Sequence, residues 1–407
     1  MSVTFDDVEA AARAIADSVI ATPTVYSPKL SDMLGAHIRL KLENLQYTAS
    51  FKERGALNCL LGLGDAERAA GVIAMSAGNH AQAVARLAGR LDIAATIVMP
   101  KNTPFQKVAN TEALGATVVL EGNDLAEAAA FADTEVGARG LALIHPYEDP
   151  RVIAGQGTVA LEMLEAAPDL DTLVVPVGGG GLIAGCIVAA KAIRPDIEIV
   201  GVQTARCPAM LAALHGTGMD VRTDTLADGI AVKRPGRTTR EIIARSGTEI
   251  VLVEEGEIES AIMLLAEAEK LVVEGAGAAA LAAILAHPDR FAGRRVGAVV
   301  SGGNIDPRLL SGVLMRGLVR LGRLVRLRVE IEDLPGRLAQ LTRAVGRLGG
   351  DIVEVEHRRW FHDVPARKTL VDLLVEVRSP AEAGLLVDGL ASEGYEVSRL
   401  GTTSNMR

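Results

Sequence analysis

From about residue 38 onward, short apolar runs alternate with helix-like stretches, and this rhythm constrains the fold more than any other feature of the chain. The runs at 72–75, 94–99, 117–120, 172–177, 198–202 and 296–300 are largely apolar throughout, as strands covered on both faces have to be. Between several of them lie segments rich in Ala and Leu. Strand, helix and strand in that order imply βαβ units and a mostly parallel sheet with helices on both faces. At 407 residues the chain exceeds one ordinary core, so two or three domains are expected. Aromatic residues are only 3% of the total, which leaves Ala, Val, Leu and Ile to build the interior. Ahead of the strands, 4–18 reads as a helix capped by Thr4, with Asp6 and Asp7 in its first turn and Val8, Ala11, Ala12 and Ile15 on one face.

The pattern changes near residue 322. Over 326–332 apolar and charged residues alternate strictly, which describes a strand with one face buried and one in water. The turn Asp333-Leu334-Pro335-Gly336 follows, then a helical stripe of Leu338, Leu341, Val345 and Leu348 stopped by Gly349-Gly350. Strands at 351–357 and 369–377, a helix at 379–392 and a last strand at 396–400 complete the order β-α-β-β-α-β of a ferredoxin-like sandwich. Domains are therefore expected over 1–321, in two lobes, and over 325–402.

Charge and composition narrow the function. A net charge of −9 argues against nucleic acid as a partner, since phosphate backbones need clustered Lys and Arg. It leaves room for an anionic cofactor in a local pocket. The three cysteines Cys59, Cys186 and Cys207 contain no CxxC pair and read as buried thiols of a reducing compartment. The first residues lack a basic segment followed by an apolar run, and no stretch reaches the length of a membrane span. A cytoplasmic protein without membrane contact is expected.

Four segments carry candidate chemistry. In Thr48–Ala56, Thr48 or Ser50 can cap a helix, placing Lys52 in its first turn; that electropositive position, with any desolvation, favours the neutral, nucleophilic amine. A solvated lysine on a helix face is the plain alternative. Gly178-Gly179-Gly180-Gly181-Leu182 joins a strand to an apolar helix, so that backbone N–H groups and the helix dipole can cradle an anion. The spacing fits neither a nucleoside triphosphate loop nor a dinucleotide fingerprint, and a single phosphate ester suits it better. Ser76-Ala77-Gly78-Asn79-His80 again lies between strand and helix, offering N–H groups for a carboxylate and an amide for a ring hydroxyl. Ser301-Gly302-Gly303-Asn304 follows the last apolar run and by itself is only a turn.

Together these segments resemble the serine/threonine dehydratase branch of the pyridoxal 5′-phosphate (PLP) enzymes with the tryptophan-synthase-β-like fold. The similarity lies in KLENLQYTASFKERGA, SAGNHAQ, VGGGGL and SGGN, in their order and intervals, and in LADGIAVKRPG and VVEGAGAAALA. It spans residues 5–320. The tail, VEIEDLPGRLAQLTRAVGRLGGDIVEVEH, resembles an ACT domain, a small amino-acid-binding regulatory module.

The resemblance implies PLP held covalently by Lys52, which then removes the substrate α-proton. It places Phe51 beside the ring, Asn79 on the ring hydroxyl, Gly178, Gly179, Gly180, Gly181 and Leu182 on the phosphate, and Ser301 at the pyridine nitrogen. Ser76, Ala77, Gly78 and His80 are to surround the substrate carboxylate. The implied reaction turns L-threonine into 2-oxobutanoate and ammonia, with L-serine giving pyruvate, as part of isoleucine and threonine metabolism. Serine or aspartate racemase and 3-hydroxyaspartate dehydratase are alternatives within the family. A sensor that binds PLP and an amino acid without turnover is a third reading, opposed by the intact lysine, glycine loop and Ser301.

Two departures from the family pattern stand out. Ala49 occupies a place where threonine dehydratases commonly carry Gly, and Ala77 one where serine racemases carry an acid/base serine. The acids that racemases use for a divalent metal are replaced at Gln203, Cys207 and Ala209, so no metal is expected. The ACT resemblance implies a homo-oligomer, a tetramer, and an amino-acid effector near Asp333, Leu334, Pro335, Gly336 and Leu338.

Overall fold

The computed structural model describes residues 3–359 and 365–401, in two compact units, Met1–Ile305 and Asp306–Arg407. The first unit holds two sheets. The larger runs Thr24–Tyr26, His37–Leu42, Arg295–Val300, Thr172–Pro176, Glu198–Thr204, Glu249–Val253 from edge to edge. Its neighbours are parallel except the first pair. The smaller sheet orders Thr117–Leu120, Ala95–Met99, Val72–Met75 and Ala142–Leu143, all parallel. Each of the six apolar runs is thus a strand, with ends shifted by a residue or two. The strands at 24–26, 37–42, 142–143 and 249–253 complete the sheets without having been legible as runs.

Helices cover both sheets, as buried parallel strands require. The first helix, Phe5–Ile15, has Thr4 as N-cap in a reciprocal bond with Asp7 and buries Val8, Ala11 and Ile15. The helix Gly275–Ala286 is buried from Gly275 to Ile284 and has no polar face, as a helix surrounded by protein should not. One apolar core lies around the larger sheet, with Met163, Leu173, Val175, Ile183 and Ile199 among its members. Another lies on the smaller sheet, where Leu57, Leu60, Val84, Leu87 and Ile97 meet. The three cysteines are free and buried, and burial pushes the Cys59 and Cys186 thiols up to about 12.

Glycines set the spacing of three helices. A Cβ on Gly55, in helix Lys52–Leu61, would lie 2.7 Å from the Val152 carbonyl oxygen of helix Pro150–Ala166. Gly155 meets Arg54 and Gly55 as closely in return. On its other side, Pro150–Ala166 approaches Gly185 of helix Gly181–Ile193, where a Cβ would stand 2.3 Å from the Ile153 carbonyl oxygen. One long helix therefore holds the helices that follow Lys52 and the tetraglycine in a single backbone-to-backbone stack.

The second unit contains helix Pro307–Arg320 and a four-stranded antiparallel sheet. Its order is Asp351–Arg358, Lys368–Glu376, Leu324–Glu332, Glu396–Leu400. Helices Arg337–Arg347 and Pro380–Ser392 pack on one face around Leu327, Val329, Leu341, Val345, Leu373 and Leu386. This is the ferredoxin-like sandwich. The division falls at 305/306, ahead of the expected boundary between 321 and 325. The change to strict alternation marks where the antiparallel sheet begins, whereas Pro307–Arg320 precedes that change and groups with the second unit. The expected domain limits at residues 1 and 402 lie outside the described residues. Among the described residues no helix is long and apolar enough to cross a membrane.

Gly185→Ala should force the two backbones apart and cost about 1–3 kcal/mol, the usual effect of overpacking. Urea unfolding measures it; a variant as stable as the parent would mean that these helices can slide freely.

Candidate active site

Three candidate segments sit at the carboxyl ends of parallel strands, where open α/β sheets bind ligands. Ser76–His80 follows strand Val72–Met75, Gly178–Leu182 follows Thr172–Pro176, and Ser301–Asn304 follows Arg295–Val300. The lysine segment is laced to the last of these. Phe51 N–H donates to the Ser301 carbonyl at 3.1 Å, Gly303 N–H donates to the Ala49 carbonyl at 2.8 Å, and Ser50 bridges Gly302.

Lys52 opens helix Lys52–Leu61. The expected cap from Thr48 or Ser50 does not form, because the bridge to Gly302 keeps the chain extended there and Phe51 becomes the N-cap, without a side-chain bond. The Thr48 and Ser50 hydroxyls are buried without partners. Ala49 carries φ of +52°, a left-handed conformation that costs an L-residue about 1–2 kcal/mol. That is the physical reason a glycine suits this place, and the methyl is accommodated at the expense of strain. The Lys52 ammonium donates to the Pro146 carbonyl at 2.9 Å and lies 5.2 Å from the centre of the Phe51 ring. Burial lowers its pKa to about 8, against the opposing pull of Glu274. Desolvation is thus the leading cause of its shift.

The tetraglycine loop ends in helix Gly181–Ile193, whose N-cap, Gly180, has φ of +95° and offers no side chain to the first-turn N–H groups. Gly179, Gly180 and Gly181 are buried. A Cβ on Gly179 would enter the Tyr147 ring, and one on Gly180 would meet Met210 and Thr239. The loop is held from behind, as Thr239 Oγ1 and Gly236 N–H donate to the Gly179 carbonyl at 2.7 and 3.1 Å. A buried helix start with no cap from the protein needs another acceptor, and the bare glycine backbone suits a phosphate.

In Ser76–His80, Asn79 and His80 occupy the first turn of helix Asn79–Arg90, again without a side-chain cap. The His80 ring is buried with Nε2 2.8 Å from the Ile144 carbonyl oxygen. Burial and the Lys52 charge push its pKa down to about 3, so the imidazole is neutral and donates from Nε2. Its ring anchors the loop, and its backbone N–H is what it can offer a carboxylate. Asn79 is bonded to Glu274 and Asn304. Ser301 is buried, its hydroxyl donating to the Ala276 carbonyl over a long 3.3 Å. Where racemases use metal-binding acids, Gln203 is occupied with the turn itself, bonding the Cys207 carbonyl and Leu211 N–H.

A family model described as pyridoxal-phosphate dependent enzyme matches residues 15–302. The chain belongs to this family. An L-threonine ammonia-lyase of Thermotoga maritima is 44% identical over 402 residues, 98% of this chain and 100% of its own length. Among solved structures, the processed form of threonine deaminase isoform 2 from Solanum lycopersicum superposes with a TM-score of 0.72 at 37% identity, covering 76% of this chain and 86% of that one. Maize serine racemase matches with a TM-score of 0.72 at 32% identity, covering 79% and 99%.

As a family member the chain uses PLP, and its residues fit that cofactor: a half-buried amine whose pKa desolvation lowers, and an uncapped glycine-lined helix start. Sequence reasoning passed over Glu274, Tyr147 and Pro146, which join the segments. Glu274 lay inside the quoted VVEGAGAAALA stretch, but nothing in one sequence says that its carboxyl turns to Asn79. Tyr147 packs over Gly179 and donates to the Arg234 carbonyl at 2.8 Å. The effector candidates are all in the second unit, away from these residues in sequence, and are exposed from Asp333 to Gly336 with Leu338 half-buried.

Covalent capture of PLP by the apoprotein should follow deprotonation of Lys52. With a pKa of about 8, the free-amine fraction rises about sixfold from pH 7 to pH 8 and levels off above about pH 9. Stopped-flow absorbance across pH reads this directly. A rate still climbing tenfold per unit beyond pH 9 would mean that Lys52 titrates as an ordinary lysine.

Proposed function

We propose that this chain is an L-threonine ammonia-lyase, converting L-threonine to 2-oxobutanoate and ammonia, with L-serine to pyruvate as a side activity. The observation that carries the reading is that Lys52 reaches Pro146, next to the Tyr147 that covers Gly179, and lies near His80 of the Asn79 loop, combined with full-length similarity to an enzyme of that name. Bound PLP supplies an electron sink for the α-carbanion. The rest falls to the protein. Lys52 Nζ takes the α-proton, its pKa being held near working pH by burial. Backbone N–H groups at Ser76–His80 hold the substrate carboxylate. Gly178, Gly179, Gly180, Gly181 and Leu182 hold the cofactor phosphate, Phe51 packs near the ring, and Asn79 and Ser301 orient it.

Ser301, a hydroxyl and not a carboxylate, does not hold the pyridine nitrogen charged, which favours prompt β-elimination over a long-lived carbanion. Racemisation needs a proton donor on the face opposite Lys52. Ala77 has none to give, which disfavours a serine or aspartate racemase despite the fold shared with the maize enzyme; 3-hydroxyaspartate remains a substrate to test beside threonine.

The second unit is read as an ACT domain in a cytoplasmic homotetramer. Gly336, at φ of +88°, starts helix Arg337–Arg347 without a side-chain cap. With Asp333, Leu334, Pro335 and Leu338 nearby in the chain, this turn offers N–H groups and a carboxylate to the two ends of an amino acid such as isoleucine or valine.

With PLP-loaded protein, 2-oxobutanoate should form from L-threonine faster than pyruvate from L-serine, and Lys52→Ala should abolish both. Retained PLP with no turnover of either substrate would sink the reading. Isoleucine or valine should displace the threonine saturation curve by about 5-fold or more, and Asp333→Ala should remove the shift. Superimposable curves with every amino acid would reduce the tail to a role in assembly.

A further inference from the structure

Asn79 has two side-chain N–H donors and one acceptor oxygen, and protein groups engage the oxygen and one of the two donors. Its Oδ1 accepts from Asn304 Nδ2 at 2.6 Å, and its Nδ2 donates to Glu274 Oε1 at 2.7 Å. Asn304 cannot turn over, because the same Nδ2 donates its other hydrogen to the Thr48 carbonyl at 2.9 Å. A flipped Asn304 would place its oxygen against two acceptors. The lysine segment thus dictates, through Asn304, which way the Asn79 amide points. Glycines keep the space beside its nitrogen clear. A Cβ on Gly302 would stand 3.2 Å from Asn79 Nδ2 and 2.3 Å from Glu274 Oε1.

We propose that Asn304 and Glu274 are positioning residues for PLP, clamping the Asn79 amide from both ends so that a single N–H of fixed direction is left for the ring oxygen of the cofactor. This rests on the role given to Asn79 under the proposed function. The clamp also limits charge. Glu274 is buried, and desolvation, then the nearby Asp228 carboxylate, push its pKa up to about 8; bonds from Asn79 and the Asn304 N–H and the Lys107 charge act the other way. Lys52 faces it too. Burial thus favours the protonated form of Glu274, the form that spares the ring oxygen a second full negative charge. Because the folded-state pKa lies above the ordinary value, burying this group costs stability as pH rises towards 8; the carboxylate that then forms grips the Asn79 N–H but repels the ring oxygen, so the cofactor's environment should change on the alkaline side.

The test reads the visible absorption of protein-bound PLP from neutral to alkaline pH, together with PLP affinity, without substrate. Variants are Asn79→Ala, Asn304→Asp, Asn304→Ala, their Asn79→Ala doubles, and Glu274→Gln. Asn304→Asp turns the donor into an acceptor. It should shift the band and its pH midpoint and weaken PLP about tenfold, the scale of one hydrogen bond to a charged group. Asn304→Ala should act in the same direction, keeping the test alive if the aspartate variant does not fold. Neither should add anything once Asn79 is alanine. Glu274→Gln should keep the parent spectrum at neutral pH and lose its alkaline change.

Parent-like spectra and affinity in both Asn304 variants, with Asn79→Ala altered, would overturn the clamp and leave the Asn79 reading standing. Effects of Asn304→Ala and Asn79→Ala that simply add would overturn it too, because they mark separate structural roles. A parent-like Asn79→Ala would remove the Asn79 reading itself.

Discussion

The Arg54 guanidinium, two residues past the lysine, ties the active-site helix to the rest of its unit. It is fully buried and meets two carboxylates: Nε and Nη2 donate to Glu43 at 2.8 Å each, and Nη1 and Nη2 donate to Glu162 at 2.6 and 2.8 Å. Thr158 accepts at 3.0 Å, and Lys41 closes the cluster on Glu162 and the Thr22 carbonyl. Burying these charges is costly, and a group of this kind is a weak source of net stability. Removing one partner is another matter, at about 3–5 kcal/mol, because the others are left unpaired in a low dielectric. Its consequence is geometric. The turn after strand His37–Leu42, the start of helix Lys52–Leu61 and the middle of helix Pro150–Ala166 are fixed to one planar group.

From this anchor the glycine-spaced helices carry position outward. Pro150–Ala166 touches the lysine helix on one side and the tetraglycine helix on the other, backbone against backbone. Such contacts leave no side-chain layer to deform, so the separation of the lysine helix from the tetraglycine loop is set rigidly. The lowered pKa values of Lys52 and His80 follow from the same close packing, which desolvates both groups. The strain at Ala49 is tolerated because hydrogen bonds to Gln46 and Gly303 hold that turn from both sides.

The second unit obeys a different rule. Its sheet is half-buried, with apolar residues of Leu324–Glu332 facing two helices and charges on the other side, where Asp372 takes both Arg328 and Arg358. Period-two alternation is a local pattern, which is why the element order there was legible with boundaries nearly correct.

The sequence alone determined the alternation of strands and helices, the two-part organisation, and the placing of the glycine, asparagine and serine segments after strands and of Lys52 at a helix start, because apolar periodicity and glycine placement are properties of neighbouring residues. Strand His37–Leu42 escaped notice because its Lys41 is charged, and only the folded ion cluster makes that residue an interior one. The cap at Lys52 was misread because a bridge to Gly302, some 250 residues away in the chain, decides the backbone there. Tertiary structure alone decided that His80 turns its ring to Ile144, that Glu274 and Asn304 close on Asn79, and that Tyr147 covers Gly179. Each is a contact between distant segments, and directional hydrogen bonds and desolvation arise only once those segments are packed together.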